Sequence, residues 1–155
     1  MKSIPIMIIA IALISGPLVA QQKPTVSPIR GASAHDITKD FGPRLHPVLK
    51  AIRTHRGVDF DVPVGTAVCV TADGIVLEAG NAGPYGLSIR IRHAGGYETF
   101  YAHLSKISVT KGQKLSGGAT IAQSGNSGLS SAPHLHYEVL KNGQHVDPKA
   151  FIAAR

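Results

Sequence analysis

Cysteine occurs once in the 155 residues and tryptophan not at all. One cysteine excludes an intramolecular disulfide, and Cys69 sits within the strand-like Thr66-Ala67-Val68-Cys69-Val70-Thr71, where it reads as a buried, inert thiol. With Cys69 read as inert, imidazole and carboxylate are the donors left for a metal site. Aromatics are also scarce, four Phe and four Tyr. With Lys and Arg scattered along the chain, that is a poor endowment for stacking bases, and nucleic-acid binding is set aside. Acidic residues are few, nine against 16 Lys and Arg, for a formal charge of +7. Such a balance draws a protein to polyanions, including cell-wall polymers and lipid headgroups.

The amino terminus carries the apolar run Ile4 to Ile14, behind Met1-Lys2 and ahead of Ser15-Gly16-Pro17-Leu18-Val19-Ala20 and the polar Gln21-Gln22-Lys23. A positive start, a short apolar stretch and a small residue before a polar break predict a secretory signal peptide over 1–20. The alternative, a membrane anchor, is opposed by Pro5 and the Gly16-Pro17 pair, which interrupt a segment barely long enough to span. Loss of Lys2 with the leader leaves 15 basic side chains against nine acidic, a mature charge of +6. Residues 21–35, rich in Pro, Ser and Gln, read as a flexible lead-in. One domain remains, 36–155.

In that domain Gly and Pro recur between short apolar runs, the pattern of an all-β domain with many tight turns. Expected strands are Val58–Val62, Thr66–Thr71, Gly74–Ala79, Leu87–His93, Tyr97–His103, Thr120–Gln123 and His134–Leu140, with a short one at Lys114-Leu115. Asp73-Gly74 predicts a hairpin between the second and third of these, and Asn142-Gly143 a final one. Alternation puts Tyr97, Thr99, Tyr101 and His103 on one face, and His134, His136 and Glu138 together on another. Asp147-Pro148 predicts the cap of one short terminal helix.

Histidines two apart on a strand reach the same cavity, so His134 and His136 form a pair. His55-Arg56-Gly57-Val58-Asp59 adds an imidazole and a carboxylate, and His103 a further imidazole. Each signal alone is common by chance. Four histidines and an aspartate beside glycine-rich turns in one small domain point to a metal site. A nitrogen–oxygen donor set without cysteine favours zinc, and three protein ligands would leave a position for water. The His-Glu-x-x-His helix motif of many zinc proteases is absent. His35, His93 and His145 read as solvated, and Glu138 as a residue supporting the site.

Five ordered segments then resemble one family, the lysostaphin-type (LytM-type) peptidoglycan zinc endopeptidases. They are Phe41-Gly42-Pro43-Arg44-Leu45-His46-Pro47, His55-Arg56-Gly57-Val58-Asp59-Phe60, Tyr101-Ala102-His103-Leu104-Ser105, Ser124-Gly125-Asn126-Ser127-Gly128 and Pro133-His134-Leu135-His136-Tyr137-Glu138-Val139. The resemblance implies a mainly β fold, a compact, antiparallel, sandwich-like domain with a groove walled by loops. It implies one zinc per chain on His55, Asp59 and His136, with His103 and His134 as catalytic histidines. Arg44 and His46 are expected to line the groove and hold carboxylates of the peptide. The implied partner is peptidoglycan and the implied setting a bacterial envelope or periplasm, with the mature chain a monomer without membrane insertion. The sequence leaves the target bond open between stem D,D bonds and peptide cross-bridges. It also leaves open how His103 and His134 divide the roles of base and oxyanion partner. Two rivals stand beside this reading: a non-catalytic wall-binding regulator, and a biotinyl- or lipoyl-type carrier module suggested by the Gly-punctuated hairpins.

Overall fold

A computed structural model describes residues 23–45 and 50–153. The predicted leader, 1–20, and His46 lie outside the described residues. Eleven strands follow in chain order: β1 (Gly42–Leu45), β2 (Ile52–His55), β3 (Val58–Phe60), β4 (Ala67–Cys69), β5 (Gly74–Asn81), β6 (Leu87–His93), β7 (Tyr97–Ile107), β8 (Lys114–Leu115), β9 (Thr120–Ser124), β10 (Leu135–Lys141) and β11 (Gln144–Val146). All pairings are antiparallel. The main sheet runs β11-β10-β7-β6-β5-β8, with β3 on β10 and β9 bridging β4 and β7, while β1 and β2 form a separate two-stranded sheet. Helix among the described residues is confined to single 3-10 turns, including Pro148–Ala150. There Asp147 caps the turn by accepting from the Lys149 N–H, as the Asp-Pro pair predicts.

The alternating strands behave as their sequences require. Ile89 and Ile91 of β6, and Leu135, Tyr137 and Val139 of β10, are fully buried in one core with Val58, Phe60, Tyr101 and Ile121. The opposite face of β10 is buried too, because His134, His136 and Glu138 line a second, polar interior. Burial on both faces makes β10 the central strand of the molecule.

Three expectations change. The Asp73-Gly74 turn does not join a hairpin: β4 pairs with β9, and β5 with β6 and β8. Asp73 instead accepts a hydrogen bond from the Gly117 N–H at 2.7 Å, tying the bend to a neighbouring loop. The stretch expected as a lead-in is seated from Val26 onward. Its backbone bonds to Thr71 and Cys69, Ile29 bridges Val68 and is buried, and Ser33 with Asp36 closes a capping box. The physical reason is the free edge of β4, which this segment covers. Ile29 and Ala34 join the core from this stretch, too few and too widely spaced to leave a periodic signal. Third, His93 is not solvated. It is 4 % exposed, with Nδ1 on the Asp73 carbonyl and Nε2 on the Thr99 hydroxyl.

Candidate metal centre and catalytic cavity

Asp59 and His136 are direct partners in the β3–β10 ladder. Opposite residues of an antiparallel pair project from the same face, so register alone brings this carboxylate and imidazole together. His55 ends β2 and reaches the same point because the chain turns back immediately at Gly57. A Cβ there would overlap the carbonyl oxygen of Tyr137, so only glycine lets the connection cross β10 so closely. The donor atoms converge: Asp59 Oδ1 lies 2.9 Å from His136 Nδ1 and 3.1 Å from His55 Nε2, and the two nitrogens are 3.2 Å apart. All three side chains are buried.

The remaining nitrogens fix the tautomers. His55 Nδ1–H donates to the Asp40 carbonyl at 2.8 Å, and His136 Nε2–H to Glu138 Oε1 at 3.0 Å. Each imidazole therefore presents a lone pair to the centre, facing a carboxylate oxygen. Three converging lone pairs repel unless a proton or cation lies among them. Donors of a four-coordinate zinc ion stand about 3.3 Å apart, close to the spacing found, so the residues fit one such ion. The local field agrees. Burial would raise the Asp59 pKa, but hydrogen bonds with His136 and His55 outweigh it and hold the carboxyl far below the usual range. Burial would lower His136, yet Asp59 and Glu138 raise it instead. The site attracts positive charge.

The other two histidines approach from the far side of the same cavity. His134 forms an isolated bridge with Gly125, and its Nδ1–H donates to the Ala132 carbonyl at 2.8 Å, with the Ser130 hydroxyl at 3.1 Å. Its Nε2 is thereby aimed inward, 3.9 Å from Asp59 Oδ1. His103 Nδ1–H donates to the Ser127 carbonyl at 2.8 Å, and its ring lies 4.7 Å from that of His134. Strict alternation would place His103 with Tyr101 in the apolar core. It escapes because its φ is +58°, at the point where β7 exchanges β10 for β9 as its neighbour. The shared face read from the sequence is thus broken by a backbone bulge. Burial, opposed by the Ser127 carbonyl and aided by the nearby imidazoles, lowers the His103 pKa, so the ring is neutral at pH 7.

Arg44 lines this cavity of about 530 Å3 with Lys39, Arg56, Tyr85 and Leu129. Sequence reasoning missed several contributors. Tyr85, on the 3-10 turn Gly83–Tyr85, packs its ring 5.7 Å from His136 and edge-on to Phe100, and burial raises its pKa. Lys39 Nζ stands 3.4 Å from Asp59 Oδ2. His145, expected in solvent, bonds Glu138 Oε2 at 2.9 Å, which joins it to His136 through one buried carboxylate. The Gly-Pro-Tyr turn was a usable signal. The orienting carbonyls of Asp40, Ser127 and Ala132 have none, since any residue type supplies a carbonyl.

The sequence profile of Peptidase family M23 matches residues 53–148, which include His55, Asp59, His103, His134 and His136. Over 112 residues the chain is 47% identical to the DD-carboxypeptidase/endopeptidase Mpg of Neisseria meningitidis, covering 72% of this chain and 26% of that protein. It is 46% identical over 112 residues to the peptidoglycan DD-endopeptidase ShyA of Vibrio cholerae, with the same coverage. A crystal structure of a zinc-containing peptidase from Vibrio cholerae superposes with a TM-score of 0.76 at 38% identity, covering 86% of this chain and 41% of that one. The chain spans about a quarter of the length of the relatives named. The extent of the profile match and the level of identity lead to one conclusion: the chain belongs to peptidase family M23.

Proposed function

We propose that this chain is a zinc-dependent endopeptidase of peptidoglycan, cutting D,D bonds between stem peptides. One observation carries the reading: three donor atoms meet within 3.2 Å, and two further imidazoles face them across a cavity. Zinc held by His55, Asp59 and His136 would supply Lewis acidity and bring a ligated water to a pKa near 7. His103, neutral and fixed by Ser127, is suited to take a proton at Nε2. His134, fixed by Ala132, presents Nε2 from beside it, where it can steady negative charge or return a proton to the leaving amine. The D,D assignment is supported by the names of the relatives and by the basic lining of the cavity.

The mature chain should bind about one zinc per molecule. Chelation should abolish release of fragments from a defined cross-linked muropeptide, and zinc should restore it. Full cleavage by metal-free protein in chelator would end the reading.

A further inference from the structure

Asp59 uses its two carboxylate oxygens differently. Oδ1 takes the contacts with imidazole, at 2.9 Å from His136 Nδ1 and 3.1 Å from His55 Nε2. Oδ2 has one partner among the described residues, Lys39 Nζ at 3.4 Å. No other ion pair among those residues includes Lys39, and Asp59 is the only acid that lines the cavity. The Lys39 side chain is 45% exposed and that of Asp59 4%, so one end of the pair is wet. Such an ion pair adds little to stability, and a cation beside the donor cluster opposes the metal that the cluster would hold. Its placement calls for another account.

Register puts the ammonium there. Lys39 forms an isolated antiparallel bridge with Asp59, and Asp59 is in turn the ladder partner of His136. The Asp59 N–H donates to the Lys39 carbonyl at 3.0 Å. The Asp59 carbonyl accepts from the Thr38 N–H at 2.9 Å and from the Thr38 hydroxyl at 3.1 Å. Residues directly opposite in neighbouring strands share a face, so Lys39, Asp59 and His136 stand in one row across adjacent segments. The lysine stem therefore starts from a fixed point, and it lines the cavity.

We infer that Lys39 is a positioning residue: by holding Oδ2 it makes Asp59 offer a metal one oxygen and keeps a coordination place open for water. The inference rests on the metallopeptidase reading and concerns what keeps that site catalytic rather than closed. A carboxylate can bind an ion through one oxygen or through both. Both oxygens of Asp59, with His55 and His136, would fill a tetrahedral set, as in a structural site; a single oxygen leaves the last place to water. The ammonium gives Oδ2 a partner outside the cluster, so Oδ1 alone faces the two imidazoles.

The test reads the metal itself, without substrate. Cobalt(II) in place of zinc absorbs visible light, and its bands weaken when a further ligand joins a tetrahedral set. Lys39→Met, which keeps the length of the stem and removes the charge, should weaken those bands, and Lys39→Arg should restore them. Zinc content should stay at one ion per chain in both variants, which also shows that they fold. Zinc affinity of Lys39→Met should not fall, because a cation that repels the ion is gone. Turnover of a cross-linked muropeptide should drop roughly 10–100-fold in Lys39→Met with KM held, the range for changes beside a metal ligand. Identical bands in wild type and Lys39→Met, weakening that Lys39→Arg does not reverse, or loss of zinc affinity would overturn the inference. A raised KM with unchanged turnover would overturn it too, and assign the lysine to substrate binding. If the wild type binds cobalt but cleaves no muropeptide, the peptidase reading fails, while the spectra still decide the role of Lys39.

Discussion

His136 has both ring nitrogens committed, one to the donor cluster and one to Glu138, which in turn accepts from His145. His145 is therefore a positioning residue, two hydrogen bonds from the proposed metal. Outer partners of this kind orient a ligand and raise its basicity. Glu138→Gln should weaken zinc binding by roughly 10–100-fold, and His145→Ala by less, in competition with a chromophoric chelator. Unchanged affinity in Glu138→Gln would show that His136 is oriented without it. The two classes of histidine should separate as well. His55→Ala, Asp59→Ala and His136→Ala should lose both zinc and cleavage. His103→Ala and His134→Ala should retain zinc while turnover falls by roughly 10²–10⁴. Metal content measured beside cleavage rate decides: loss of zinc in His134→Ala with retention in His136→Ala would exchange their roles.

Strands differ in how much of themselves they disclose. The bounds of β6 agree with its clean alternation, and β10 lies within one residue of the expected span. The sheet of β1 and β2 was not foreseen, because four-residue strands with exposed side chains carry no apolar pattern. Within the main sheet, β6 and β7 also house a buried polar chain. His93 Nδ1–H donates to the Asp73 carbonyl, so Nε2 must accept from Thr99, and the hydroxyls of Tyr101, Thr71 and Tyr137 continue the chain. Burial pushes the Tyr101 phenol up to about 12 and lowers the His93 pKa, against the partial opposition of the Asp73 backbone, Asp73 and Glu98. A folded pKa below the unfolded value, about 6.5, means the unfolded chain binds a proton first as pH falls. Stability is then intact above about pH 6.5 and declines toward the depressed folded value. Urea unfolding between pH 7.5 and 5 should show this fall, and His93→Asn, less stable overall, should show a flatter profile. Identical slopes would remove His93 as the cause.

At the scale of the whole molecule, net charge and export are the remaining expectations. A mature charge of +6 should hold the protein on isolated cell-wall sacculi at low salt and release it as ionic strength rises, since screening acts within about 10 Å at 0.1 M. Sedimentation across a salt series measures this, and salt-independent retention would assign binding to the groove alone. Protein recovered from the envelope fraction should begin close to Gln21; a product retaining Met1 and needing detergent would establish an anchor. No helix among the described residues is long and apolar enough to cross a membrane.

The sequence by itself determined the chemistry on offer and much of the architecture. A lone cysteine in an apolar strand leaves imidazole and carboxylate as the metal donors on offer, alternation places His134 and His136 on one face, and Gly-rich turns between short apolar runs specify an all-β domain. Those are properties of residue type and of spacing within one strand. Tertiary structure decided everything that lies between strands. It set Asp59 opposite His136, chose which nitrogen of each imidazole faces the centre, turned His103 out of the core through one positive φ, and placed Arg53 against Arg44. Register and backbone carbonyls settle these arrangements. Neither depends on a side chain that can be read in advance, because every residue carries the same carbonyl and pairing is fixed only when the whole sheet closes.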